Sequence, residues 1–239
     1  MGRKLFFLLV LEFFLVPSTE NPIFGYKLVL VWPNTFCQNT QCNTPIPQQF
    51  TIHGLWGYDS KSNIVVNCHN GPAFDRSLLN PIEKQLKFDM PGLDRDDEIH
   101  WRHQWNKHGK CSGMSVFEYF KEILTLKQQI DIDKSLADKG IKPSFSDFYS
   151  AQNIAQAIDR GTYYVPQLEC NQDPSGAKQL FQVFFCLDKG KKLTNCPKKH
   201  TRYQSQFIAS KCTIPLPTGS TDSVKLPPPP PQSPSPAVQ

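Results

Sequence analysis

The chain has 239 residues, 39% of them hydrophobic and 20% charged, and carries a formal net charge of +5. That composition supplies enough apolar surface for one good core and argues against a chain too polar to fold. The cationic excess favours polyanionic partners only weakly.

The first eighteen residues, "MGRKLFFLLVLEFFLVPS", combine a basic start with an apolar run too short to span a bilayer. They predict a signal peptide over residues 1–18, cleaved after Ser18, and a secreted, extracellular protein with no membrane segment. Eight cysteines, an even number, suit an oxidising destination and four disulfides. Cys37 and Cys42 can close a small loop, and Cys186 and Cys196 can staple a strand to the turn after it. Cys68, Cys111, Cys170 and Cys212 supply two further pairs, whose connectivity spacing leaves open.

"YKLVLVW" (26–32) predicts a buried strand stopped by Pro33, and "QFTIHGLW" (49–56) a second that alternates until Gly54. Residues 57–72 are polar and loop-like. "RSLLNPIEKQLKF" has helical spacing interrupted by Pro81. Residues 98–108 read as a helix ended by Gly109, and 115–130 as the clearest helix in the chain. Residues 144–160 predict another, capped by Ser144 and stopped by Gly161. Residues 177–188 form a strong late strand. Strands and helices intersperse without regular alternation, which makes the fold class α+β. From Thr213 onward, nine of the last 27 residues are prolines. The composition predicts one domain over residues 19–212 and a disordered tail over 213–239 with no core to join.

The stretch "EIHWRHQWNKHGKC" (98–111) places three of the six histidines within nine positions. Wound at about 100° per residue, His103, Lys107, His100, Gln104 and His108 fall within an arc of roughly 140°, bordered by Trp101 and Trp105. Zinc needs three or four converging ligands, yet Lys107 sits among these imidazoles and no carboxylate shares the face. Neither a CxxC pair nor HExxH occurs, so no metal and no other cofactor is expected. The face suits a phosphodiester instead. Acid–base cleavage of RNA needs two groups titrating near neutrality, one on each side of phosphorus. One removes the 2′-hydroxyl proton, the other protonates the departing 5′-oxygen, and a nearby cation stabilises the charge that develops. The second imidazole must come from elsewhere, and His53 in "FTIHGLW" is the leading candidate. Alternation turns it away from Phe50 and Ile52, and Gly54 permits a close backbone approach.

At these two segments the chain strongly resembles the ribonuclease T2 family. "FTIHGLW" (50–56) is similar to the family's first active-site segment, and "HWRHQWNKHGKC" (100–111) to its second, usually F-W-x-H-E-W-x-K-H-G-x-C. The resemblance implies a central, mainly antiparallel sheet flanked by helices and stapled by disulfides. It implies His53 as general acid, His108 as general base, and His103 and Lys107 as holders of the phosphate. Gln104 stands where the family usually has a catalytic glutamate; the lost charge implies less basic imidazoles and slower chemistry or a lower pH optimum. His100 stands where a phenylalanine is common, in a wall of the substrate site. Cys68–Cys111 and Cys170–Cys212 are the implied pairings. The chain looks most like plant self-incompatibility ribonucleases, which implies single-stranded RNA as substrate, recognition proteins on the pollen side and a monomer. It departs from that subgroup in lacking any N-x-S/T sequon and in its proline-rich tail.

Overall fold

The computed structural model describes residues 23–196, Cys212 and residues 223–228. The expected signal peptide, residues 1–18, lies outside them. Strand β1 (Gly25–Val31) is buried at every position, as an apolar, β-branched run must be when both its faces are covered. After α1 (Pro33–Phe36), strand β2 (Thr51–Tyr58) returns antiparallel to β1. The next segment forms a 3₁₀ turn, Arg76–Ile82, containing Pro81, and then α2 (Glu83–Asp89), so the proline separates two short elements. Helix α3 (Asp97–Lys107) runs into a 3₁₀ turn, Gly109–Ser112. Helix α4 (Val116–Gln128) opens with a capping box between Ser115 and Glu118.

Beyond α5 (Ile132–Ala137), residues 144–160 do not form one helix from Ser144. Ser144 instead closes a local turn through its hydroxyl, and β3 (Phe148–Ser150) follows. Helix α6 (Ala151–Thr162) is capped by Ser150, whose hydroxyl accepts from Asn153 N, and it ends on Tyr163 in the left-handed region. Strands β4 (Gln167–Gln172), β5 (Lys178–Leu187), β6 (Leu193–Thr194) and β7 (Ser223–Lys225) complete the sheet. The path β2-β1-β5-β7-β3 carries most of the order, and β4 and β6 also pair with β5. Every ladder is antiparallel except the single β5–β7 pairing, so the fold is the expected α+β arrangement with helices packed on a mainly antiparallel sheet. Disulfides join Cys37–Cys42, Cys68–Cys111, Cys170–Cys212 and Cys186–Cys196.

The expected disordered tail needs correction at residues 223–228. Strand β7 pairs with β3, and Val224 and Leu226 are buried. Trp32 Nε1 donates to the Pro227 carbonyl at 2.8 Å, the Leu226 carbonyl accepts from Ser144 N, and Lys225 pairs with Asp173 at 3.0 Å. The alternation Ser-Val-Lys-Leu carries this strand in sequence, but four residues beside five consecutive prolines are outweighed by composition.

Burying Val224 and Leu226 contributes about 3–6 kcal/mol. A chain ending at residue 222 is therefore expected to unfold at a markedly lower denaturant concentration than one ending at 228. Coincident unfolding curves would show that the strand adds nothing.

Candidate active site

The two histidine-bearing segments meet where α3 crosses β2. Val29 pairs with Gly54 and Leu30 with Ile52, so His53 is the extra residue of a β-bulge. A bulge re-aims a side chain next to a site. The ring is then held from β5, with His53 Nδ1 2.6 Å from Gln182 Nε2, and Gln182 itself is buried. Gly54 has the predicted role: a Cβ there would run into Gln104 Oε1 and Trp56 Nε1. In the space it leaves, the Trp56 indole N–H donates to Gln104 Oε1 at 3.1 Å.

Helix α3 is fixed in rotation by its tryptophans. Trp101 Nε1 donates to the Met90 carbonyl at 2.8 Å and Trp105 Nε1 to the Pro72 carbonyl at 2.9 Å, with both rings buried. Trp101 and Trp105 therefore fill the core. The disulfide Cys68–Cys111 tethers the segment after the helix. On the face so presented, His103 is exposed, His100 and Lys107 are half-buried, and Gln104 is buried.

His108 departs from the helical arc. The helix ends at Lys107, and His108 is its C-cap at φ −124°, so the turn swings the imidazole inward. It is only 2% exposed and stacks on Trp56, with ring centroids 5.0 Å apart and planes 19° from parallel. His53 meets the same indole edge-on at 5.2 Å. The two imidazoles thus lie on one tryptophan, no more than about 10 Å apart.

The cavity beside His53 is lined by His100, His103, Gln104, Asp94 and Arg95, with Val31, Phe36 and Leu93 among its apolar walls. Lys107 and His108 do not line it. The Lys107 charge still reaches it and lowers the proton affinity of His53. Among the described residues no three His, Cys, Asp or Glu side chains gather as a metal ion would require.

Burial and mutual repulsion strip these imidazoles of their protons. Burial is the largest cause in each case. His53 is pushed down to about 3, with His100, Lys107 and His103 acting next. His100 falls to about 4 under Arg95 and His103. His108 falls to about 2 under Lys107, His53 and His103, against the Val65 carbonyl. His103 is lowered as well. The site is therefore a cluster of neutral imidazoles, with His103 exposed, beside Lys107 and the Asp94–Arg95 ion pair. An entering phosphodiester reverses the balance by favouring the protonated forms. Such a site can donate a proton from one imidazole, protonated on anion binding, while another, still neutral, accepts one.

The sequence did not identify Gln182, Asp94 or Arg95. Gln182 had a signal, a lone amide inside the apolar run "LFQVFF". Asp94 and Arg95 lie in an unremarkable polar loop and had none.

The Ribonuclease T2 family model matches residues 24–196. The chain belongs to the Ribonuclease T2 family. It is 34% identical over 192 residues to Ribonuclease 1 of Arabidopsis thaliana, covering 75% of this chain and 82% of the relative. It is 34% identical over 194 residues to Ribonuclease S-7 of Nicotiana alata, covering 76% and 87%. Among solved structures, RNase NT in complex with 5′-AMP superposes with a TM-score of 0.71 at 26% identity, covering 85% of this chain and 98% of that one.

A histidine whose folded value lies below its unfolded value near 6.5 stabilises the fold above pH 6.5 and loses that contribution as pH falls towards the folded value. For His108 the loss between pH 7 and 5 is about 2 kcal/mol. Ordinary carboxylates remain charged in that window, so the denaturant midpoint is expected to fall across it. His108→Phe, which keeps the stack on Trp56, is expected to lessen the fall by about a third, because His53 and His100 are lowered as well and supply the rest. A pH-independent midpoint for the unmodified chain would contradict the buried, neutral imidazole.

Proposed function

We propose that the protein is a secreted, metal-independent endoribonuclease that cleaves single-stranded RNA through a 2′,3′-cyclic phosphate. The observation that carries this reading is the pair of neutral, desolvated imidazoles, His53 and His108, packed on one tryptophan beside a cavity lined by His100, His103 and the Asp94–Arg95 pair. Membership of the Ribonuclease T2 family and the likeness to RNase NT, a structure holding 5′-AMP, support RNA as substrate.

In the first step His108 accepts the proton of the 2′-hydroxyl while that oxygen attacks phosphorus. The bond from phosphorus to the 5′-oxygen breaks, and His53 donates a proton to the departing oxygen. Lys107 and His103 hold the phosphate and stabilise the charge that grows on its free oxygens. Water then opens the cyclic phosphate with the two imidazoles in exchanged roles. Gln182 keeps the His53 ring oriented, and Gln104 acts through Trp56, to which its oxygen is committed. The nucleophile belongs to the substrate, so no cofactor enters the scheme. Bases splayed from a single strand suit the cavity better than a duplex.

Purified protein is expected to cut single-stranded RNA in EDTA and to leave cyclic-phosphate ends. His53→Ala and His108→Ala should each lose about 10²–10⁴-fold in rate. A His108→Ala protein that cleaves as fast as the parent would remove His108 from the reaction.

We assign the biological role to the pistil side of gametophytic self-incompatibility, with a pollen protein as partner and the enzyme acting as a monomer. Similarity to Ribonuclease S-7 and the basic charge support it. The second reading is a secreted ribonuclease of phosphate supply or defence, and similarity to Extracellular ribonuclease LE of Solanum lycopersicum supports its secretion. Transcript confined to pistils is expected; induction in starved leaf or root would decide for the second. Removal of residues 1–18 predicts a mature chain beginning at Thr19, which N-terminal sequencing of the secreted protein reads directly.

A further inference from the structure

Asp94 and Arg95 share the loop between α2 and α3, in the wall of the cavity that holds His53, His100 and His103. Arg95 Nε and Nη2 donate to the two Asp94 carboxylate oxygens, each at 2.7 Å. This forked pair is the strong geometry for a guanidinium and a carboxylate. The Asp94 side chain is 20% exposed and that of Arg95 41%. Asp94 is also the sole carboxylate among the residues lining the cavity. A carboxylate in a wall built for an anion is a liability unless it serves the site, because an unpaired one would repel phosphate. The other acceptor at hand, Gln104 Oε1, is uncharged and already accepts from Trp56.

We propose that Asp94 is a positioning residue: anchored by Arg95, it is the counter-charge that lets His53 carry the proton delivered to the leaving oxygen. The inference rests on the reaction proposed above and adds to it a residue outside both histidine-bearing segments.

The charges around His53 agree with the placement. From α3, His100, Lys107 and His103 all oppose its protonation, and Asp94 favours it. Gln182 of β5 and Trp56 of β2 touch the ring without charge. His100 and His103 feel both members of the pair, Arg95 against protonation and Asp94 for it. Asp94 thus acts on His53 and on His100, the imidazole that in turn lowers the Asp94 carboxyl, whereas Lys107, His53 and His103 act on His108. When substrate phosphate draws on Arg95, the hold on Asp94 loosens and its support of His53 grows.

That asymmetry supplies the test. Imidazole titrations of His53 and His108 are followed by NMR with a 2′-deoxy dinucleotide bound, beside pH profiles of kcat/KM for a cleavable dinucleotide. Asp94→Asn is expected to move the His53 titration down by about half to one pH unit and to leave His108 in place. Arg95→Gln, which frees the carboxylate, is expected to move His53 up. One limb of the pH profile should follow in each variant. Unchanged His53 titration in Asp94→Asn, equal movement of His53 and His108, or movement in the same direction in both variants would overturn the proposal. The titrations need no turnover, so they judge Asp94 even where the parent protein fails to cleave RNA, the result that would defeat the proposed reaction itself.

Discussion

Helix α3 reaches strand β2 at a point where residue 54 has no side chain. The absence of a Cβ lets Gln104 enter against the strand and take the Trp56 indole proton. That contact joins two segments about fifty positions apart and fixes where their histidines stand. His53 is turned by the bulge beside Gly54, and His108 is turned by the end of the helix that Gln104 anchors. Trp56 lies between them, so one indole sets the separation of both rings. Trp101, Trp105 and the Cys68–Cys111 bridge hold the helix in that rotation. A side chain at residue 54 would cost the site its geometry before it cost the fold its core.

Electrostatics follow from the same packing. Three half-buried or buried imidazoles lie close enough to repel one another, and Lys107 adds to the repulsion. Among the described residues the Val65 carbonyl favours protonation of His108 and Asp94 that of His53. In the proposed reaction the neutral cluster gains a proton as the phosphate binds. Binding and protonation are then one event, which suits chemistry that needs an acid and a base at the same phosphate.

Much of this was legible in the residues. The glycine after His53 announced a close approach. The strands at 26–32, 49–56 and 177–188 and the helix at 115–130 followed from apolar period and length. What stayed hidden depends on tertiary context. A helical wheel cannot show that the helix stops one residue before His108 and turns it inward. Alternation cannot show a bulge, and His53 lines the cavity together with Ile52, from which alternation turned it away. Gln182 becomes a partner of His53 only through the pairing of β5 with β1. The short strand at Ser223–Lys225 was hidden by the prolines that follow it, since composition over 27 residues outweighs alternation over four.

The account stands on one phosphate being shared by His53 and His108, although His108 lies beneath Trp56 and outside the cavity that His53 lines. A crystal structure with an uncleavable 2′-deoxy dinucleotide tests this most directly. The account predicts the scissile phosphate within hydrogen-bond reach of His53 on one side, with His108 facing the 2′ position on the other and Lys107 alongside. A phosphate bound between His53 and His100, with His108 still buried against the indole and remote from the 2′ carbon, would contradict it.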